Sequence, residues 1–255
     1  MSVLDSIIEG VREDLAARRI PMSAMLEKIE SAPLVRDARA ALTSVDLAII
    51  AEVKRSSPSK GALAPISDPA SLAAEYEHAG AQVVSVLTER RRFGGSLADL
   101  EQVRATISIP ILRKDFMVDD YQFYEARAYG ADLVLLIVAG LSKNQLKDYS
   151  DLTVELGMSA LVEVHTLDEL EDAMAINPRI VGVNSRNLKT LDVDRHAFEE
   201  ILPKIPHDVI AVAESGISSR SDVEFATHHG ARALLVGEAL VTAANPAEAI
   251  ARLRG

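Results

Sequence analysis

The chain has 255 residues, 48% hydrophobic and 25% charged, the balance of a globular protein able to fill a sizeable core. It has no cysteine, which excludes disulfides, thiolate nucleophiles and cysteine-held metals and fits a reducing cytoplasm. A formal charge of -11 argues against nucleic acid as a partner. It also repels anionic small molecules at long range, so such a substrate would have to be met by locally concentrated Lys and Arg.

Asp5, Glu9, Arg12, Glu13 and Asp14 interrupt the first apolar run, so no signal peptide is expected. No stretch approaches the roughly 18 apolar residues of a membrane span. Leu4, Ile7, Ile8, Val11 and Leu15 fall on one helical stripe, and Met22, Met25, Leu26 and Ile29 begin another. These helices fill residues 1–47. They read either as a cap on the bottom or side of the fold or as a cover over its substrate mouth.

Short β-branched runs then recur at 48–53, 83–87, 109–113, 132–138, 160–164, 180–183, 209–213 and 233–236, about 20 to 35 residues apart. Helical spacing separates them, as in Leu141, Leu146, Tyr149, Leu152, Val154 and Leu156. Ser67-Asp68-Pro69, Thr166 before Asp168-Glu169, and Ser218 are helix-start signals. Strands alternating with helices imply parallel pairing, and eight such units are the number that closes a (β/α)8 TIM barrel. A doubly wound open sheet is the competing architecture, but none of the runs opens with its Gly-x-Gly-x-x-Gly fingerprint. No linker or low-complexity tract divides the chain. A single barrel domain over 1–255 is expected, with 1–47 as an N-terminal helical extension.

Residues two apart on a barrel strand share a face, and charged groups facing the interior are costly unless paired or used. Strand one places Glu52 and Lys54 on one side. Lys114 shares a face with Leu112, Glu163 with Leu161, and Gly182, Asn184 and Arg186 lie together. Strand seven ends Val212-Ala213-Glu214-Ser215-Gly216. All of these fall at C-terminal strand ends, where active sites of this fold lie. Two lysines, an arginine, carboxylates and an amide suit acid/base work on an anionic substrate, and proximity would lower the pKa of one lysine. The lack of a Ser-His-Asp arrangement argues against acyl transfer. His165, His196, His207 and the pair His228-His229 show no metal-ligand spacing, so no metal is expected.

Glu214-Ser215-Gly216-Ile217-Ser218 follows strand seven and opens a helix, and Leu235-Val236-Gly237-Glu238 follows strand eight. Loops after the last two strands are the recurrent phosphate cradle of this fold.

The stretch Ile50-Ala51-Glu52-Val53-Lys54-Arg55-Ser56-Ser57-Pro58-Ser59 resembles the signature of the indole-3-glycerol phosphate synthase family. The resemblance continues through Leu112-Arg113-Lys114-Asp115-Phe116, Leu161-Val162-Glu163-Val164-His165, Val183-Asn184-Ser185-Arg186-Asn187-Leu188 and Ala213-Glu214-Ser215-Gly216-Ile217, covering nearly the whole chain in order. It implies a cofactor-free enzyme acting on 1-(2-carboxyphenylamino)-1-deoxyribulose 5-phosphate. An aromatic carbon would attack the ribulose carbonyl, carbon dioxide would leave, and loss of water would give the indole.

The resemblance also implies roles. Lys114 would be the general acid at the carbonyl oxygen, Lys54 the partner of the substrate carboxylate, and Glu52 the group holding the lysines. Glu163 would be the acid/base of dehydration, with Asn184 on a sugar hydroxyl and Arg186 at the anthranilate end. The dehydration proton could come from Lys54 or Lys114. Ser57, Ser215, Gly216, Gly237 and the main chain of Glu238 would hold phosphate, the Glu238 carboxylate turning outward. Phe93, Phe116, Leu135 and Leu188 would wall the aromatic ring. The loop 56–61 would close over bound substrate.

A related phosphate-barrel isomerase, a Schiff-base aldolase using Lys114, and a binding-only barrel are the rival readings. A monomeric, cytoplasmic enzyme of a small anionic sugar phosphate is expected, with neither nucleic acid nor membrane as partner.

Overall fold

A computed structural model of the chain describes residues 2–188 and 190–255. Eight parallel strands close a barrel: β1 (Ala48–Val53), β2 (Val83–Leu87), β3 (Ile111–Lys114), β4 (Leu133–Ile137), β5 (Ser159–Val164), β6 (Ile180–Asn184), β7 (Ile210–Glu214) and β8 (Ala233–Val236). Ala48 of β1 lies opposite Ala233 of β8, and Ile50 opposite Val83 of β2, which completes the ring. This is the TIM barrel that the alternation predicts, and the open sheet is excluded.

The apolar runs locate every strand, but three strands reach one residue further than those runs. β3 includes Lys114, β6 Asn184 and β7 Glu214. Their backbones still pair, Lys114 with Leu87 and Glu214 with both Asn184 and Leu235. Reading a strand only as far as its last apolar residue therefore cuts it short where the site begins.

Helices α1 (Val3–Arg18), α2 (Met22–Ser31) and α3 (Ala38–Thr43) precede β1. Between and after the strands come α4 (Pro69–His78), α5 (Leu97–Thr106), α6 (Tyr121–Ala128), α7 (Lys143–Glu155), α8 (Leu167–Met174), α9 (His196–Ile201), α10 (Arg220–His228), α11 (Glu238–Val241) and α12 (Pro246–Arg254). Asp68 caps α4 ahead of Pro69, and Thr166 caps α8, as their start signals indicate. The cap of α10 is Ser219 rather than Ser218, because Asp222 closes a capping box with Ser219. Among the described residues, no helix is long and apolar enough to cross a membrane.

Strand parity divides the core in two. Ile49, Ala51, Val134, Leu136, Val162, Val181 and Leu234 face outward and pack under the helices. Ala48, Ile50, Leu112, Leu133, Leu161, Ile180, Val212 and Leu235 fill the barrel. The two readings of the N-terminal helices hold for different helices. Ala38 and Leu42 of α3 pack with Ala48, Val83, Leu133 and Ala233, at the beginnings of the strands. Leu4, Ile7 and Val11 of α1 join the same apolar column, and Val3, Leu4 and Ile7 line the cavity at the opposite end. The expected α2 stripe is only partly used: Met25 is buried against Leu15 and Tyr121, while Met22 and Leu26 are exposed. Val154 of α7 also departs from its stripe and faces solvent.

A buried ionic knot ties α1 to the barrel. Arg113 points outward from β3 and is fully buried. Its guanidinium donates to Thr88 Oγ1 at 3.1 Å, the Gln122 carbonyl at 2.9 Å, Asp115 Oδ2 at 3.1 Å and Glu125 Oε2 at 2.9 Å. Glu125 in turn accepts two hydrogen bonds from Arg18 of α1, at 2.8 and 2.9 Å. Burial favours a protonated Glu125, but Arg113 and Arg18 outweigh it and hold the carboxyl below its ordinary range. Removing one partner of such a network strands the other charges without solvent. We expect Arg113→Ala to cost about 3–5 kcal/mol, read by urea unfolding; a loss below about 1 kcal/mol would show that the knot does not hold the fold.

Candidate active site

The inward parity that fills the barrel with Leu and Ile puts charge at its head. Above Ile50 comes Glu52, above Leu112 comes Lys114, above Leu161 comes Glu163, and above Val212 comes Glu214. Glu52, Glu163 and Glu214 are each 3% exposed or less, so their charges have to be met by neighbours rather than by water.

Lys114 supplies the central cation. Its Nζ lies 3.0 Å from Glu163 Oε2 and 3.3 Å from Glu214 Oε2. Lys54 makes a separate pair, its Nζ 2.6 Å from Glu52 Oε1. Burial by itself would drive Lys114 toward neutrality, but Glu163, Glu214 and Glu52 overcome it and raise the ammonium above the ordinary lysine value. The expectation that lysine proximity lowers one pKa therefore fails for Lys114, because each lysine is matched by carboxylates of its own.

The two carboxylates on Lys114 do not titrate alike. Burial favours the neutral acid at Glu163, but Lys114 and His165 reverse this and hold it below the usual carboxylate range. Burial and the charge of Glu163 push Glu214 up, and Lys114 offsets them only in part. Glu214 Oε1 is buried without a hydrogen-bond partner, as suits a protonated carboxyl better than an anion. Glu214 stands among the charged strand ends in the sequence but receives no acid/base role there. Its alternation with Ile210 and Val212 is the signal that places it inward.

Glycines make room for these carboxylates. On β6, Gly182 lies opposite Glu163 of β5, and a Cβ there would come within 2.0 Å of Glu214 Oε1. At Gly237 a Cβ would meet Glu52 Oε1 at 2.4 Å and Lys54 Nζ at 3.0 Å. Both positions exclude a side chain so that charge can be laid across a neighbouring strand.

A cavity of about 750 Å³ opens above this floor. All the residues expected from sequence line it: Glu52, Lys54, Lys114, Glu163 and Asn184; Phe93, Phe116, Leu135 and Leu188; Arg186; and Ser57, Ser215, Gly216, Gly237 and Glu238. Phe93 and Phe116 form a tilted pair with centroids 6.1 Å apart. Asn184 Oδ1 accepts the Arg186 backbone N–H at 3.0 Å, leaving Nδ2 as its donor toward the cavity, while the Arg186 guanidinium donates to the Leu191 carbonyl.

On the β7–β8 side, Ser215 at φ 65° and Gly216 at φ 70° make a tight left-handed turn, uncommon for serine. The amides of Ser218 and Ser219, just ahead of α10, are taken by Asp222. α11 begins at Glu238 with Gly237 as N-cap and no side-chain cap. The Glu238 carboxylate lies 3.6 Å from Lys60 Nζ across the cavity mouth.

Local concentration of cations is not found. Lys54, Lys60, Lys114 and Arg186 line the cavity together with Glu52, Asp115, Glu163, Asp192, Glu214 and Glu238. Among the described residues, no group of three or more His, Cys, Asp or Glu is arranged to hold a metal ion.

A closed α/β barrel with paired ammonium and carboxylate groups at its mouth, beside glycine turns on its last two strands, defines an enzyme for acid/base chemistry on a small anionic molecule. The family model for indole-3-glycerol phosphate synthase matches residues 4–253. The indole-3-glycerol phosphate synthase of Rhodococcus opacus (strain B4) is 54% identical over 255 residues, spanning 99% of this chain and 95% of that protein. That of Arthrobacter sp. (strain FB24) is 55% identical over 258 residues, spanning 98% and 95%. The chain belongs to the indole-3-glycerol phosphate synthase family. Among solved structures, a 3-hexulose-6-phosphate synthase aligns with a TM-score of 0.63 at 15% identity, over 82% of this chain and 98% of that one. The N-acetylmannosamine-6-phosphate 2-epimerase of Clostridium perfringens aligns with a TM-score of 0.61 at 14% identity, over 81% and 92%. At such identities the likeness is one of fold.

Gly182→Ala tests the floor directly. The new methyl has to displace the Glu214 carboxylate from Lys114, and a displacement on the order of 1 Å in such a site costs about 100-fold in rate. Unchanged kcat in a folded Gly182→Ala protein would mean that the Glu214 position is unimportant.

Proposed function

We propose that the chain makes indole-3-glycerol phosphate from 1-(2-carboxyphenylamino)-1-deoxyribulose 5-phosphate, the carboxy-lyase step of tryptophan biosynthesis that its family carries out. The observation that carries this reading is Lys114, kept as a buried ammonium between Glu163 and Glu214 on the cavity floor. A group held protonated is ready to give its proton to a developing alkoxide. It has no free lone pair to open a Schiff base, so the geometry disfavours the aldolase rival.

The substrate carboxylate pairs with Lys54, sharing it with Glu52, while Phe93, Phe116, Leu135 and Leu188 hold the aromatic ring. Ser57, Ser215, Gly216, Gly237 and the Glu238 amide take the phosphate, and Asn184 donates to a sugar hydroxyl. Arg186 supports the anthranilate end. As the ring carbon attacks the carbonyl carbon, Lys114 protonates the carbonyl oxygen. Loss of carbon dioxide then restores the aromatic ring. In dehydration Glu163 removes the proton released as the new double bond forms, and an ammonium of the Lys54/Lys114 pair protonates the departing hydroxyl. Glu214, carrying its proton, keeps the second carboxylate at Lys114 neutral. The enzyme works without a cofactor or nucleic acid, as a cytoplasmic monomer. Residues 1–255 form one barrel domain, with 1–47 as its helical extension.

Incubation with this substrate should give the fluorescence of an indole product; no product would end the proposal. Lys114→Ala and Glu163→Gln should each lose about 100- to 10,000-fold in kcat, measured on folded protein below its thermal transition. That transition falls in Lys114→Ala because Glu163 and Glu214 lose their shared ammonium. Glu163→Gln should spare substrate binding. An active Lys114→Ala protein would remove the role given to that lysine. The loop 56–61 carries Lys60, whose contact with Glu238 spans the mouth from β1 to β8. Amide exchange at Lys60 and Gly61 should slow when a substrate analogue binds, and unchanged exchange would rule out closure.

A further inference from the structure

His165 follows β5 on the same inward side as Glu163, is only 11% exposed, and is not among the residues lining the cavity. Its Nδ1 lies 3.0 Å from Glu169 Oε2, and the same oxygen accepts its backbone N–H at 2.7 Å. Glu169 is fixed in turn by the first turn of α8, where its own N–H donates to Thr166 Oγ1. The other ring nitrogen, Nε2, is buried 3.4 Å from Glu163 Oε1, close enough for an ion pair but making no hydrogen bond.

A ring with a carboxylate beside each nitrogen is favoured as the cation. Neutral imidazole would turn a lone pair toward either Glu163 or Glu169, while imidazolium presents a proton to both. Burial opposes that charge, yet the two glutamates push the ring up to about 10. Glu163 thus has a cation on each oxygen, Lys114 at Oε2 and His165 at Oε1, whereas Glu214 has Lys114 alone.

We infer that His165, braced by Glu169, is a positioning residue that breaks the symmetry between the two carboxylates on Lys114, keeping Glu163 as the ionised base and leaving the proton on Glu214. The inference rests on Glu163 being the acid/base group. Its action is electrostatic and orienting: no bond to substrate is involved, and no proton need leave the ring during turnover. The sign follows from the charge. Without the imidazolium, Glu163 becomes easier to protonate, so activity is lost on the acid side first and recovers as pH rises.

The test compares His165→Gln, Glu169→Gln and Glu163→Gln with the parent protein. The acid-side fall of kcat should move up by on the order of one pH unit in His165→Gln, with KM little changed because the ring does not reach the cavity. Glu169→Gln should shift it the same way but less. A residue of purely structural importance would lower kcat equally at every pH. Coinciding acid limbs in the parent and His165→Gln overturn the proposal, and if His165→Gln does not fold, coinciding limbs in the parent and Glu169→Gln do so instead. Ring 15N NMR gives a readout independent of turnover: the His165 ring should stay doubly protonated at pH 8 in the parent and lose its proton at lower pH in Glu163→Gln. A neutral parent ring, or one indifferent to Glu163→Gln, also overturns it. Retained turnover in Glu163→Gln would instead remove the acid/base role of Glu163, with the NMR result still deciding whether the two side chains are coupled.

Discussion

A lysine ammonium buried at the head of an otherwise apolar barrel has to be matched by charge, and at Lys114 the match comes from two other strands. β5 provides Glu163 and β7 provides Glu214, both within 3.3 Å of Nζ. In this low-dielectric setting each contact is far stronger than at a surface, and each unmatched charge correspondingly worse. The barrel is the frame that lets three non-adjacent strands meet at one nitrogen, because inward side chains of all eight strands converge on its axis. Gly182 completes the arrangement by giving up its side chain between the two glutamates.

That frame has to be stiff, since the ion pairs stay strong only while their geometry holds. The strand carrying Lys114 inward carries Arg113 outward, so neighbouring residues anchor two charge networks on opposite sides of one sheet. The outer one reaches Arg18, and through it α1, whose Val3, Leu4 and Ile7 wall the cavity. Further salt links from Arg91 to Glu13 and Asp14 fasten the same helix to the segment after β2. The N-terminal extension is thus part of the site's boundary. Its position is set by the buried Arg18–Glu125 link and by surface charge as well as by its apolar stripe.

Much of this was legible in the sequence because barrel geometry turns parity into position. Leu112 before Lys114 and Leu161 before Glu163 told which way those charges faced, and all the residues named for the site line one cavity. What escaped was relational. That Glu214 belongs with Lys114 depends on the β5–β6–β7 register and on the gap left at Gly182, neither of which a single strand reveals. From sequence, His165 has no role beyond the family-like stretch it ends, since its partners are a residue two back on the strand and a helix residue brought round by the α8 cap. The raised ammonium of Lys114 is not legible either, because its carboxylate partners Glu163 and Glu214 lie on other strands.

The overall acidity of the chain poses the remaining physical question, since the cavity it presents to an anionic substrate is not basic. Four cations face six carboxylates there, and Lys54, Lys60 and Lys114 already sit beside carboxylates. Binding must therefore work by exchange and by neutral dipoles rather than by bulk attraction. A substrate carboxylate can share Lys54 with Glu52, which is too buried to follow a departing cation. Phosphate can be held by backbone N–H groups around Gly216 and Gly237, which bring no net charge. A proton on Glu214 removes one of the opposing charges at the floor. Such a site gives up long-range steering but keeps its cations pre-positioned, and a carboxylate that leaves as carbon dioxide returns Lys54 to Glu52. On the proposed role of Lys54, the pairing that weakens attraction for the substrate also eases release of the product.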